Sequence, residues 1–125
     1  MRRTGWPMAD GARILLVEDD VLIGMMLVDM FDALGLPEPA QATTNEEALA
    51  IIGSESLAGA LVDINLGDEK SWPVADALAV RGVPFAFTSG GGDVVPPAHA
   101  DRKLVTKPFR IGDIEAALGD FLPEN

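Results

Sequence analysis

Several short apolar runs in the sequence end in side chains that could do chemistry. Two acids follow the first run, an aspartate closes a later one, and a threonine and a lysine follow two more. These residues are Glu18, Asp19, Asp63, Thr88 and Lys107. If the runs are parallel strands, their ends share one edge of a sheet, and ligands bind outside that edge. The order of these residues therefore predicts a site built from separate segments.

The acids of this set restrict the chemistry. Carboxylates about 4 Å apart repel each other by roughly 4 kcal/mol at an effective dielectric constant of about 20. Such a cluster needs a raised-pKa proton, a fixed ammonium group or a divalent cation. Oxygen ligands without histidine or cysteine favour Mg²⁺, while Lys107 adds a positive charge and Thr88 a hydroxyl donor. These surroundings suit phosphoryl transfer, with an aspartyl phosphate at Asp63 as the product.

The elements that must position these residues alternate along the chain. Strands are predicted at residues 14–17, 40–43, 57–63, 83–87 and 103–106. Four helices are predicted. The first covers residues 21–34 after the N-cap Asp20, and the second runs from the capping box of Thr44 and Glu47 to about residue 52. The third runs from the cap Ser71 to just before Gly82, and the last covers residues 111–121. Residues 66–70 and 90–101 are expected to be mostly loop. The alternation predicts an α/β domain with a doubly wound five-stranded parallel sheet.

Composition argues against several classes of function. The chain has 20 acidic and 9 basic residues and a net charge of −11, which argues against direct nucleic-acid binding because phosphate contacts need a basic patch. The longest nearly apolar run, residues 21–30, contains Asp29 and is too short to cross a membrane. Because the chain lacks cysteine and a signal-peptide pattern, we expect a cytoplasmic protein without disulfides or thiolate metal sites.

The first predicted helix is apolar on more than one side. One stripe at helical spacing is widened by three further apolar side chains; together they are Leu22, Ile23, Met25, Met26, Leu27, Met30 and Leu34. The pattern alone favours a deeply packed helix over a surface that binds a partner, although methionines are suited to the second role.

Over about residues 13–121 the chain resembles the receiver domains of two-component response regulators. The residues that carry this resemblance are Glu18-Asp19 after the first strand, Asp63 after the third, Thr88 after the fourth, and Lys107-Pro108 after the fifth. It implies a flavodoxin-like fold with strand order 2-1-3-4-5 and a cis bond before Pro108. It also implies a phosphoacceptor signalling domain rather than an enzyme.

The same resemblance implies roles for the site residues. Asp63 would accept phosphate from a phosphohistidine, and Thr88 and Lys107 would contact the phosphoryl oxygens. The implied ligands of Mg²⁺ are Asp19, Asp63, the backbone carbonyl of Asn65 and, through water, Glu18. The implied partners are a sensor histidine kinase or a histidine phosphotransfer protein, which would dock on the first helix, and a downstream protein target.

Two features depart from the family pattern. Leu104 stands where many receivers carry an aromatic switch residue. A Gly/Pro-rich stretch between Thr88 and Lys107 replaces a regular fourth helix, which we expect to be short or absent. We further expect residues 1–12 to form a flexible arm, residues 13–125 to form the receiver domain, and no output domain to follow.

Other functions fit the residues less well. A flavin-binding electron carrier on this fold would need a phosphate loop where the acids at residues 18–20 stand. A phosphatase with an aspartyl nucleophile commonly has a second aspartate where Asn65 lies. A receiver-like module that binds partners without phosphorylation would not need the site residues. His99, the one histidine of the chain, is predicted to be a surface residue without a catalytic role.

Overall fold

The computed structural model describes residues 11–121, which form strands and helices in alternation. The strands, in chain order, are β1 (Arg13–Val17), β2 (Ala40–Ala42), β3 (Leu57–Asp63), β4 (Asn65–Leu66), β5 (Glu69–Lys70), β6 (Phe85–Ser89) and β7 (Leu104–Thr106). The helices are α1 (Val21–Ala33), α2 (Asn45–Ser54), α3 (Trp72–Val80) and α4 (Ile111–Phe121). None of the helices within residues 11–121 is long and apolar enough to span a bilayer.

Five of the strands form one parallel sheet in the order β2-β1-β3-β6-β7. This confirms the predicted α/β sheet with its 2-1-3-4-5 order. Asp63 of β3 is paired in register with Thr88 of β6, and Ser89 is paired with Thr106 of β7. Because the strands are parallel, their carboxyl ends lie along one edge, which holds all the predicted site residues.

The core has two halves, one on each face of the sheet. Neighbouring strand residues point to opposite faces, so Leu16 packs with α1 and α4 while Leu15 packs with α2 and α3. The helical side chains of the first half include Leu27, Phe31, Ile114 and Leu118, and those of the second include Ala48, Ile52, Val74 and Leu78. This arrangement makes the sheet doubly wound.

Local capping follows the predicted pattern in part. Asp20 Oδ1 accepts the backbone N–H groups of Leu22 and Ile23 at 2.9 and 3.1 Å, so it caps α1. Thr44 Oγ1 accepts the N–H of Glu47 at 3.1 Å. Ser71 lies at the predicted N-cap position of α3, but its buried side chain makes no capping hydrogen bond, so the prediction holds for the position and not for the bond.

The first helix is not buried on all sides, which corrects the interpretation favoured by its sequence. Leu27 and Phe31 are buried against the sheet, but Val21, Leu22 and Met25 remain 69%, 76% and 60% exposed. The helix packs on one face of the sheet, and no other element within residues 11–121 covers its outer side. Its apolar surplus therefore faces solvent.

The connection from β6 to β7 contains a single 3-10 turn, Pro97–His99, and otherwise has no regular structure. The chain nevertheless has a fourth helix, α4, so the prediction that the fourth helix is short or absent is wrong when helices are counted along the chain. The prediction applies only to the β6–β7 connection, in which glycines and prolines disfavour a helix.

His99 corrects a further prediction because its side chain is buried rather than at the surface. Its ring lies edge-on to Phe85 and Phe87, with centroids 5.8 and 6.1 Å away. Its Nε2 atom lies 2.8 Å from Oδ1 of Asp76 on α3. These contacts hold the connection to the sheet and to α3.

Two other predictions concern short or terminal segments. Residues 66–70, predicted as loop, contain most of a small antiparallel hairpin in which β4 pairs with β5. The predicted arm, residues 1–12, lies outside the described residues except for Gly11 and Ala12, and Ala12 is buried. The end of the predicted domain, residues 122–125, also lies outside them.

Candidate functional site

Three carboxylates from two strand ends converge at the edge of the sheet. Glu18 and Asp19 follow β1, and Asp63 is the last residue of β3. Each offers an oxygen, and the three oxygens lie within 4.8 Å of one another. Glu18 and Asp63 are buried, whereas Asp19 is exposed. Such a group is strongly repulsive unless a positive charge or a proton is added.

Lys107 provides a positive charge from the segment after β7. Its Nζ atom donates a hydrogen bond to Asp63 Oδ2 at 2.8 Å and lies 3.2 Å from Glu18 Oε1. Burial alone would lower the pKa of Lys107, but the hydrogen bond and charge of Asp63, together with Glu18, outweigh it and raise the pKa. The Lys107–Pro108 peptide bond is cis, as the resemblance implied.

One ammonium group does not balance three carboxylates. Burial raises the pKa of Glu18 to about 7, an effect that the N–H of Asp20 opposes and the neighbouring Asp63 reinforces. The Oε1 atom of Glu18 is buried and accepts no well-oriented hydrogen bond. A buried oxygen that shares the Lys107 ammonium group with Asp63, within a set made of carboxylates only, fits a hard divalent cation such as Mg²⁺.

Backbone groups fix two of the acids. The N–H of Gly67, in the turn of the β4–β5 hairpin, donates to Asp19 Oδ2 at 2.8 Å. The N–H of Asn65 donates to Asp63 Oδ1 at 3.2 Å. Thr88 is buried beside Asp63 in the sheet register. The structure thus brings together all six predicted site residues, since Asn65 and Thr88 flank the pocket formed by Glu18, Asp19, Asp63 and Lys107, here called the acceptor pocket.

Comparison with known proteins gives a consistent result at the level of structure. No family model matches the chain, and no curated protein matches it either. The solution structure of SdrG from Sphingomonas melonis Fr1 is 41% identical, with a TM-score of 0.78 over 92% of this chain and 99% of that one. The BeF3-activated conformation of SdrG from Pseudomonas melonis Fr1 is also 41% identical, with a TM-score of 0.76 over 88% and 95%. A CheY-like response regulator receiver domain protein from Methanospirillum hungatei JF-1 is 27% identical, with a TM-score of 0.77 over 89% and 93%.

The chain belongs to the response regulator receiver family. A receiver is a signalling phosphoacceptor rather than an enzyme in the usual sense. The acidic cluster of this receiver is typical of the family's Mg²⁺ site.

The receiver also contains a polar cluster that sequence reasoning missed. Asp93, in the β6–β7 connection, accepts hydrogen bonds from the side chains of Asn65, Lys70 and Ser89. Lys70 donates to Asn65 Oδ1 at 2.6 Å, and the N–H of Gly91 donates to Ser89 Oγ at 2.9 Å. These five residues are called the Asp93 cluster below. No spacing in the sequence pairs Asp93 with Asn65, because the two are 28 residues apart in segments without regular periodicity.

Proposed function

We propose that this receiver accepts a phosphoryl group onto Asp63, with Mg²⁺, from a phosphohistidine of a histidine kinase or a histidine phosphotransfer protein. The observation that carries the proposal is the position of Asp63, which shares a pocket with Glu18 and Asp19 and bonds Lys107 at 2.8 Å. The SdrG structure in a BeF3-activated conformation supports it, because that relative is 41% identical over most of its length.

The proposed chemistry needs positioning and charge neutralisation more than covalent help from the protein. A carboxylate oxygen of Asp63 bonds to phosphorus while the bond from phosphorus to the donor imidazole breaks, and the electron pair stays on the imidazole nitrogen. Bound Mg²⁺ would neutralise charge on the phosphoryl oxygens. Its proposed holders are Asp19, Asp63, the backbone carbonyl of Asn65 and, through water, Glu18.

Two further residues have proposed roles in stabilising the transferred group. Lys107, which holds Asp63 with its ammonium group, would bind a phosphoryl oxygen as negative charge builds up there. Thr88 is the register partner of Asp63, and its hydroxyl would donate to another phosphoryl oxygen. Neither side chain forms a covalent bond to phosphorus or loses a proton in the transfer.

A direct experiment uses acetyl phosphate as the donor, with and without Mg²⁺, and intact mass as the readout. The expected result is an adduct of one phosphoryl group that needs Mg²⁺ and is absent in Asp63→Asn. The matched control is Asp68→Asn, which changes an exposed acid in the neighbouring hairpin turn. If the wild-type chain gains no adduct, the domain is a binding module that works without phosphorylation. Turnover of a phosphomonoester would instead favour a phosphatase.

The phosphodonor partner is proposed to dock on the exposed face of α1. Val21, Leu22 and Met25 form an apolar surface on that helix. The same helix also lines a cavity of about 380 Å³ that reaches Lys107 of the acceptor pocket; its lining residues are Ile23, Met26, Gly90, Lys107, Pro108 and Phe109. An apolar helix of a kinase or phosphotransfer protein would thereby bring its phosphohistidine toward Asp63.

Substitution of Met25 and Met26 by Asp separates docking from chemistry. We expect phosphotransfer from a cognate kinase to slow strongly, because two charges would be buried at the interface. Labelling by acetyl phosphate, which needs no docking, should be unchanged. Val80→Asp, on the exposed side of α3, is the matched control. Equal transfer rates for the double variant and the wild type would place the docking surface elsewhere.

A further inference from the structure

We propose that Asp93 is a positioning residue that lengthens the lifetime of the phosphoryl group on Asp63. It would do so by engaging the polar side chains of Asn65 and Ser89, so that neither can orient an attacking water. This inference rests on the phosphorylation of Asp63 proposed above and extends it to the loss of the phosphoryl group.

The Asp93 carboxylate is well supplied with donors. Asn65 Nδ2 lies 3.1 Å from its Oδ1 and 3.3 Å from its Oδ2. The Ser89 hydroxyl donates to Oδ2, and Lys70 Nζ lies 3.2 Å from Oδ1. The side chain of Asp93 is only 11% exposed, although it lies on a loop. Charge-assisted hydrogen bonds of this kind are stronger than neutral ones and hold both partners in place.

Both partners of Asp93 adjoin the reacting groups. Asn65 follows Asp63 by two residues, and its N–H bonds the Asp63 carboxylate. Ser89 directly follows Thr88, which is the register partner of Asp63. Asp93 therefore binds one polar side chain on each of the two strand ends that frame the acceptor.

The backbone of the connection is shaped to bring Asp93 back to this position. Gly91 and Gly92 have φ angles of +109° and +78°, which are accessible to glycine and strained for other residues. The N–H of Gly91 donates to the same Ser89 hydroxyl that bonds Asp93. The turn at residues 90–92 thus reverses the chain over Ser89 and returns the carboxylate to the edge of the sheet.

Loss of the phosphoryl group is a hydrolysis. The oxygen of a water bonds to phosphorus, the bond from phosphorus to the Asp63 oxygen breaks, and its electron pair restores the carboxylate. The two protons of the water leave with the phosphate as dihydrogen phosphate. A side chain within hydrogen-bond reach of the water speeds such a step by orienting it. In this structure the Asn65 amide donates to Asp93 and accepts from Lys70, while the Ser89 hydroxyl donates to Asp93. Asp93 thus holds both side chains in the orientations seen here, and neither can turn toward the water without losing that bond.

The decisive variant is Asp93→Ala. The chain is loaded at Asp63 with acetyl phosphate and Mg²⁺, the donor is removed, and the decay of the adduct is followed by intact mass. We expect decay to become about fivefold faster, on the scale of one hydrogen bond. Asp101→Ala, which removes an exposed acid from the same connection, should decay like the wild type. Equal decay in Asp93→Ala and the wild type would overturn the inference.

A second experiment tests whether Asp93 acts through Asn65 and Ser89. In a chain that already carries Asn65→Ala and Ser89→Ala, adding Asp93→Ala should leave the decay unchanged. Faster decay in this triple variant would show that Asp93 does not act through Asn65 and Ser89.

A further measurement needs no phosphoryl group. The side-chain amide NMR signals of Asn65 should shift and exchange faster in Asp93→Ala, and unchanged signals would contradict the proposal. If the wild type takes no phosphoryl group, the proposed function fails; if it does and only the decay is insensitive, the inference alone fails.

Discussion

The acceptor pocket and the Asp93 cluster lie at the same edge of the sheet, and in each a lysine lies beside at least one carboxylate. They differ in how well the negative charge is balanced. The pocket sets three carboxylates against Lys107. The cluster sets one carboxylate against Lys70 and adds hydrogen bonds from Asn65 and Ser89. The pocket therefore has too little positive charge for its acids, whereas the charge of Asp93 is balanced by its hydrogen-bond donors.

The pKa values of the two regions shift in opposite directions for this reason. Burial raises the pKa of Glu18 to about 7, so part of its charge is lost near neutral pH. Hydrogen bonds from Ser89 and Asn65 keep the pKa of Asp93 below its ordinary value, so its charge persists. The pocket therefore keeps an excess of negative charge that a cation would offset, whereas the charge of the Asp93 cluster is already balanced by its donors.

The largest expected effect comes from replacing Lys107 by alanine, with the corresponding replacement of Lys70 as the comparison. Lys107→Ala removes the ammonium group that bonds Asp63, so labelling by acetyl phosphate and Mg²⁺ should slow by roughly 100-fold, the scale of losing one preorganised charge donor. Lys70→Ala leaves the pocket intact and should change the labelling rate by no more than a few-fold. Initial rates of adduct formation by intact mass compare the two. Similar losses for both lysines would mean that the two regions act as one.

A smaller effect concerns stability and should differ in sign between the regions. Without divalent cations at pH 8, Glu18→Gln relieves repulsion in the pocket and should raise the free energy of unfolding by on the order of 1 kcal/mol. Asp93→Asn weakens the hydrogen bonds of the cluster and should lower it by about 1 kcal/mol. Urea unfolding in a chelator gives both values. Shifts of the same sign would contradict the contrast.

The pH dependence of Glu18 sharpens this result. Its folded-state pKa of about 7 exceeds the ordinary value of 4.5, so the folded state binds the proton more tightly than the unfolded state. The stability that Glu18 contributes is therefore fully present below about pH 4.5 and is lost as the pH rises through 7. In the chelator, Glu18→Gln should reduce this decline, and added Mg²⁺ should reduce it in the wild type. A decline equally steep in wild type and variant would show that another group is responsible.

The sequence predicted the acceptor pocket well because its residues lie at the ends of regular strands. Once residues 57–63 were identified as a buried strand, the position of Asp63 at the carboxyl edge followed from the parallel topology. The same argument positioned Thr88 and Lys107. Strand alternation and short connections are local properties of a chain, and they are visible in apolar patterns.

The remaining features depend on contacts between irregular segments. Nothing in the apolar pattern shows that Asp93 returns to Asn65, or that His99 inserts beside Phe85 and Phe87. Likewise, the apolar surplus of α1 could have been buried by another layer, and only the complete fold leaves Met25 exposed. Local propensity does not encode such long-range outcomes. Sequence reasoning therefore predicted a surface histidine and a deeply packed helix, whereas the structure buries the histidine and leaves one side of the helix exposed.

The smallest expected effect comes from Asp76, a second acid that, like Asp93, holds the β6–β7 connection. Asp76 Oδ1 lies 2.8 Å from His99 Nε2, closer than Asn65 Nδ2 and Lys70 Nζ lie to Asp93 Oδ1, at 3.1 and 3.2 Å. The Asp76 side chain is nevertheless 70% exposed. Water can replace it, so Asp76→Asn should change the free energy of unfolding by less than about 0.5 kcal/mol. The same substitution at Asp93, which is 11% exposed, should cost about twice as much or more. Water cannot replace the buried carboxylate as the acceptor for Asn65, Lys70 and Ser89. Urea unfolding of the two variants side by side measures the difference. Equal losses would show that the length of the contact, and not the burial of the acid, determines how firmly the connection is held.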